Sequence, residues 1–335
     1  MSLGINTRSR SRELPTVTQV LKPIDRPVFI TGLGRSGTTI IHTLLATHPN
    51  ANWMSLLCAK FPNRPYLNRW LMRSLDMPPL SVYVKRRFVP LENYSFWEFY
   101  FRGFGAPCRD LFASDVDVRT ASSIRKVFSQ LVTPKRNRLI IKITGVPRIG
   151  FLHALFPDAK FVHVTRDGRA VANSRMNTPF WKGWQGLNLW PGGMPDHYRR
   201  EWQRHGYSFV ALAGIEWKTH LDQMMEVKRN YRHVNVFEVK YEEFCVNPVL
   251  QLRDIAAFCE LAWDANFEDQ LKRRYVGSEN SQWQAELTEE QQAILQEVLA
   301  VQLVEQGYDC GAVATRSPSV SSTESGLERA CQSGV

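Results

Sequence analysis

The 335-residue sequence contains no Cys-x-x-Cys pair and no Cys/His cluster, because its six cysteines (Cys58, Cys108, Cys245, Cys259, Cys310 and Cys331) are widely scattered. That argues against structural zinc and against a disulfide framework, and no other metal-ligand cluster is visible, so no metal is expected. It also lacks any run of about eighteen apolar residues, and the polar N-terminus with Arg8, Arg10 and Arg12 leads into no apolar signal region. No transmembrane segment is expected, and the location expected is cytoplasmic. No internal repeat is present, which sets solenoids and propellers aside.

What the sequence does have is enough apolar residues, 44%, to bury a full core as a single domain, and a formal charge of +10. Such a charge suits nucleic acid, an anionic membrane surface or a polyanionic small molecule. Part of it is local. Through Arg26 there are five basic residues against Glu13 and Asp25, so +3 belongs to this end, and residues 1–24 read as a flexible, solvated basic arm. From Gly311 onward Ser, Thr, Gly and Ala dominate, and residues 311–335 read as a disordered tail. The remaining 25–310 form the expected folded domain.

Short β-branched runs alternate with helical stretches, which predicts an α/β fold with a parallel sheet flanked by helices. Four runs are apolar enough for strands covered on both faces: 27–31 (PVFIT), 139–144 (LIIKIT), 160–165 (KFVHVT) and 233–239 (HVNVFEV). Helix signals follow at 38–47, at 168–176 and at 248–261, the last opening on proline. Residues 60–130 are less regular, with helical stretches rich in Arg, Pro and aromatics (Tyr83, Tyr94, Phe96, Trp97, Phe99, Tyr100, Phe101). Most of these rings are expected in the core, and the insertion as a whole is a candidate wall for a second substrate. The loop 180–195 (FWKGWQGLNLWPGGMP) is a candidate lid.

Two motifs carry chemistry. The first, Gly32-Leu33-Gly34-Arg35-Ser36-Gly37-Thr38-Thr39, leaves a strand and opens a helix. Glycines let backbone N–H groups converge on an anion, the helix N-terminus adds unsatisfied donors, and Thr38 and Thr39 add hydroxyls. Gly32 and Gly37 match the glycines of the triphosphatase pattern GxxxxGK[ST], but Thr38 stands where its lysine would be, and Arg35 supplies the cation elsewhere. That disfavours hydrolysis of a nucleoside triphosphate. The second motif is FVHVTRDGR (161–169), with Arg166 at the end of a strand and Ser174 eight residues on, about two helical turns further. The pair can hold a second phosphate; a surface ion pair of Arg166 with Asp167 or Glu243 is the plainer alternative.

These segments resemble the superfamily of sulfotransferases that use 3'-phosphoadenosine-5'-phosphosulfate (PAPS), in particular a bacterial branch related to the carbohydrate and tyrosylprotein enzymes. GLGRSGTT is similar to the family's 5'-phosphosulfate loop, with Arg35 at its cationic position. VHVTRDGRAVANS is similar to its 3'-phosphate segment, which assigns Arg166 and Ser174. Lys142 in LIIKITGVPRI matches the strand lysine that approaches the sulfuryl group, and VKYEEF with Asn247-Pro248 places Tyr241 near the adenine. The resemblance spans about 27–308. It implies the sulfotransferase fold and a P-loop-type sheet. It implies transfer of a sulfuryl group from PAPS to a hydroxyl or amine of a carbohydrate, lipid or small molecule, with release of 3',5'-ADP. By the same analogy neither metal nor nucleic acid is required. The expected donor-binding residues are Gly34, Arg35, Ser36, Gly37, Thr38, Thr39, Arg166, Ser174 and Tyr241, with Arg35 and Lys142 also catalytic.

The sequence departs from the family at two places. Cytosolic members carry a histidine two residues after the strand lysine, where this chain has Thr144, so another group must take the acceptor's proton. Glu92 and Glu98 in the aromatic insertion are the acids available, with Glu92 preferred; a Glu92 that caps a helix or pairs with Arg86 or Arg87 is the plainer alternative. The late RKG segment is not recognisable around 277–283, which leaves the rest of the 3'-phosphate clamp open. Two other readings compete: a P-loop nucleotide kinase-like enzyme, disfavoured by Thr38, and a non-catalytic protein that binds anions or nucleic acid through its charge.

Overall fold

A computed structural model describes residues 24–105, 110–183, 194–273 and 280–309. The N-terminal arm up to residue 23, the tail 311–335, residues 184–193 of the candidate lid and residues 277–279 of the late segment lie outside the described residues.

Five strands form one parallel sheet: β1 (Val28–Gly32), β2 (Ala51–Asn52), β3 (Arg138–Thr144), β4 (Lys160–Thr165) and β5 (Val236–Lys240), in the spatial order β2-β3-β1-β4-β5. The expected α/β class with flanking helices holds. β4 has the expected bounds, β1 and β3 differ by one residue, and β5 starts later, at Val236, because a turn in which the Val234 N–H donates to the Tyr231 carbonyl precedes it. The sequence reading missed β2, which at two residues offers no periodicity.

Alternation along β1 explains how one strand serves two cores. Phe29 faces Ile141, Phe161 and the aromatic cluster of Phe96, Trp97 and Phe128. Val28 and Ile30 face Ile140, Val162 and the opposite layer, where Ile41, Leu44, Leu252 and Ile255 come from the helices Thr38–Leu45 and Pro248–Phe258. A third cluster binds the helix Gly168–Met176 to the long helix Phe209–Asn230 and to Glu289–Glu305 through Trp217, Leu212 and Leu299. Of the rings in the insertion, Phe96 and Trp97 are core as expected, whereas Tyr83 and Phe99 are exposed.

The topology fixes where a ligand belongs. After β1 the chain builds β2 and β3 on one side, then crosses to β4 on the other, so the order reverses around β1. Ligands of open α/β sheets bind beyond the carboxyl ends of the strands at such a reversal. The register aligns those ends, with Gly32 opposite both Thr144 of β3 and Val164 of β4. The two sequence motifs and the strand lysine therefore meet at one edge. No helix among the described residues is long and apolar enough to cross a membrane.

Candidate active site

The loop after β1 folds in the way its glycines require. Gly37 holds φ +92°, and a Cβ there would stand 2.2 Å from Cδ2 of Tyr241, so the phenol ring is packed flat against the loop. At Gly32 a Cβ would meet the Val164 carbonyl oxygen at 2.5 Å. Arg35 also adopts a left-handed conformation, φ +81°, which a non-glycine residue holds only when its surroundings compel it. Replacing Gly37 with alanine adds left-handed strain of about 1–3 kcal/mol and displaces the Tyr241 ring. A melting temperature lower by about 5 °C or more is expected, together with a clear loss of nucleotide affinity. An unchanged melting temperature would show that the loop is not braced by Tyr241.

Two groups of side chains meet at this loop. In the first, Gly34, Arg35, Thr38 and Thr39 line a cavity of about 530 Å³ together with Glu92, Lys142 and Thr144. Lys142 and Thr144 are two apart on β3 and so point to the same face. The Lys142 ammonium donates to Thr39 Oγ1 at 2.8 Å and pairs with Glu92 Oε1 at 2.7 Å. The other Glu92 oxygen accepts from Thr144 Oγ1 at 3.1 Å. Thr144, standing where the cytosolic enzymes carry histidine, thus orients the carboxylate. Glu92 pairs with neither Arg86 nor Arg87, and its company is ionic, not the surrounding of aromatic rings that its sequence neighbours suggest.

The second group lies on the other side of the loop. Arg35 Nε donates to Ser174 Oγ at 2.9 Å. Arg166 donates to the Arg35 carbonyl at 3.1 Å and to Asn280 Oδ1 at 3.0 Å, and its guanidinium stacks over Tyr241 at 4.6 Å. Asp167 does not hold Arg166 in a surface pair; its carboxylate is taken by Arg169 at 2.8 Å. Arg166, Ser174 and Tyr241 line the first cavity no more than Ser36 and Gly37 do; Arg35 joins the two groups.

Glu98 is not brought into either group. It is exposed, and its two oxygens accept from the backbone N–H groups of Gly103 at 2.7 Å and Gly105 at 2.8 Å. Burial pushes its pKa up, but those donors outweigh it, and the carboxyl ends below its ordinary value. Its place is that of a loop brace, away from the Lys142 ammonium and the Thr144 hydroxyl.

Several lining residues escaped the sequence reading. Arg175, next to Ser174 on the same helix, lines the first cavity and is held by buried Glu216 at 2.6 Å, whose other contact is the indole N–H of Trp181 at 3.0 Å. Phe180 and Trp181, the start of the candidate lid, also line it. Arg148 is 2% exposed, yet its guanidinium donates to main-chain carbonyls, Val146 at 2.6 Å and Phe104 at 3.1 Å, and stacks over the Phe104 ring. It adds positive potential at the wall. Tyr94 braces β3 by donating to the Thr144 carbonyl and accepting from the Thr144 N–H, each at 2.8 Å, and burial pushes its phenol up to about 12. Arg148 and Arg175 carried no signal in the sequence, whereas Phe180 and Trp181 fall in the stretch read as a candidate lid and Tyr94 in the aromatic insertion.

A second cavity of about 600 Å³ opens behind the first. Thr39, Glu92 and Lys142 line both, and the rest of its wall is largely apolar: Ala59, Val89, Pro90 and Leu91. The Glu92–Lys142 pair therefore lies where a cavity lined by Arg35, Arg148 and Arg175 meets a largely apolar one.

Comparison with known proteins shows the family and the fold. Residues 27–265 match the Sulfotransferase family. The omega-hydroxy-beta-dihydromenaquinone-9 sulfotransferase Stf3 of Mycobacterium bovis is 23% identical over 328 residues, covering 85% of this chain and 76% of that protein; the protein of the same name from Mycobacterium tuberculosis gives the same figures. The crystal structure of sulfotransferase STF9 from Mycobacterium avium shares the fold, with a TM-score of 0.52 at 17% identity over 86% of this chain and 78% of that one.

Proposed function

Because the chain belongs to the sulfotransferase family, we propose that it takes its sulfuryl group from PAPS and passes it to the hydroxyl of an acceptor with an apolar body, releasing 3',5'-ADP. The observation that carries this reading is the Glu92–Lys142 pair, set between the phosphate loop and the apolar cavity. The residues present suit such a donor. Backbone N–H groups, Arg35, Thr38 and Thr39 offer a cradle for a phosphosulfate, and Arg166 offers a cation for a second phosphate. The acceptor named for the mycobacterial relatives, a hydroxylated menaquinone, has the same character of one hydroxyl on an apolar body.

In the reaction the acceptor oxygen forms a bond to sulfur while the bond from sulfur to the 5'-phosphate oxygen breaks. Positive charge placed at the departing phosphate is the main source of acceleration. Glu92 takes the acceptor's proton. Once protonated it no longer satisfies Lys142, whose ammonium is then fully available to the charge gathering on the phosphate. Proton removal and leaving-group stabilisation are thereby linked through one ion pair. Lys142, Arg35 and the helix N-terminus supply the positive charge this scheme needs, so it calls for no metal.

Donor choice tests the proposal. 3',5'-ADP should raise the melting temperature at micromolar concentrations, while ATP with Mg2+ and oligonucleotides should not. Stabilisation by ATP–Mg2+ instead would favour a kinase-like enzyme. Arg166→Ala should weaken 3',5'-ADP binding at least about tenfold, since a charge-assisted contact contributes about 1.5–3 kcal/mol. It should leave AMP, which lacks the 3'-phosphate, much less affected. Equal weakening of the two nucleotides removes Arg166 from the 3'-phosphate.

A further inference from the structure

Residues 56–91 present a surface that neither water nor a protein core suits. The helices Tyr66–Ser74 and Leu80–Arg87 lie over a small core of their own, to which they contribute Leu71, Met72 and Val84. Their outer side carries large apolar side chains all the same. Trp70 is 69% exposed and Tyr83 65%, and Leu80 and Val82 are exposed as well; so are Phe61, Met77 and Val89 in the flanking sequence. Between these residues stand the exposed cations Arg64, Arg73, Lys85, Arg86 and Arg87, none of them in an ion pair among the described residues. The one acid in the stretch, Asp76, is engaged by Arg136 at 2.8 Å and Lys135 at 3.1 Å.

Large exposed apolar patches mark contact sites, and their setting identifies the partner. Aliphatic and aromatic side chains interleaved with unpaired cations suit an anionic bilayer: the rings and aliphatic groups enter the headgroup–acyl boundary, and the arginines and lysines meet the phosphates. A nucleic acid would use the cations but give Leu80, Val82 and Val89 nothing to bury against. A second copy of the chain, related by a two-fold axis, would bring these cations against their own equivalents.

We propose that residues 56–89 form a peripheral docking surface for an anionic lipid bilayer, through which the acceptor enters. The link to the active site is geometric: Ala59 and Val89 belong to this surface and also line the apolar cavity that ends at Glu92 and Lys142. A lipid-borne hydroxyl leaving the bilayer along that wall arrives at the carboxylate. The docking surface stands on its own observations, whereas the delivery of an acceptor rests on the transfer role proposed for Glu92 and Lys142.

The test is sedimentation of the full chain with vesicles of phosphatidylcholine, alone or containing about one third phosphatidylglycerol. Binding is expected to the anionic vesicles, at least about tenfold above the neutral ones and weakened by salt. Two variants at exposed positions, Trp70→Ser/Val82→Ser/Tyr83→Ser and Arg86→Glu/Arg87→Glu, should each lower it at least about tenfold while keeping the parent's melting temperature and 3',5'-ADP affinity. Absence of binding to anionic vesicles, equal binding to neutral ones, or unchanged binding by both variants overturns the proposal. So does a dimer that the same substitutions abolish, which would assign the patch to a second copy. Because 3',5'-ADP binding is read separately, its absence in the parent chain would count against the transfer reading and leave the vesicle result standing.

Discussion

Lys142→Ala is expected to lower kcat by about 10²–10³-fold, the range found when one preorganised donor to a developing negative charge is removed. The ammonium stands on β3, at 2.8 Å from Thr39 Oγ1 and 2.7 Å from Glu92, on the wall common to both cavities. Truncation removes positive charge from the site of bond breaking and also strips Glu92 of its partner. A carboxylate left uncompensated there repels a phosphosulfate, so turnover should fall further than charge loss alone implies. On the proposed reading the product nucleotide is held mainly elsewhere, by the loop backbone and by Arg166, and 3',5'-ADP affinity should change by only a few-fold. A variant that loses nucleotide binding and turnover in equal proportion would move Lys142 from the transferred group to the nucleotide.

Glu92→Gln should reduce kcat about 100-fold or more, again with 3',5'-ADP affinity almost unchanged. The amide keeps the size and one acceptor for the Thr144 hydroxyl, but it cannot take a proton. Lys142 loses its counter-charge in this variant, so donor binding should not weaken and any change should be towards tighter binding. The loss in kcat separates a base from a residue that merely neutralises the lysine, because a neutralising role predicts little loss in kcat. Glu98→Gln is the internal comparison: it weakens the brace on Gly103 and Gly105 and should leave kcat near normal. Normal turnover in Glu92→Gln would falsify the base assignment outright.

The side of the site proposed to hold the donor is legible in the sequence because its determinants are local. Strand 28–32 is a continuous apolar run, the loop carries glycines at the positions the backbone needs, and Arg166 follows its own strand directly. The acceptor side is not local. Glu92 meets Lys142 and Thr144 across about fifty residues, through a stretch whose helix signals are broken by prolines and charges. Periodicity cannot announce such a pairing, and the sequence offered Glu98 almost as readily. What sets Glu98 apart is two backbone N–H groups, of Gly103 and Gly105, that claim its oxygens. Arg148 and Arg175 were invisible for a similar reason, since their partners are main-chain carbonyls in one case and a glutamate on a distant helix in the other. β2 was missed because two residues carry no alternation, yet it closes one edge of the sheet.

The wall of Thr39, Glu92 and Lys142 between two chambers has a kinetic consequence. Each chamber has its own volume, so on the proposed reaction one substrate need not leave before the other arrives, and the productive species is a ternary complex. The sulfuryl group then crosses once, directly from one ligand to the other. The chain has no need to carry it covalently, and the configuration at a chirally labelled sulfur would be inverted.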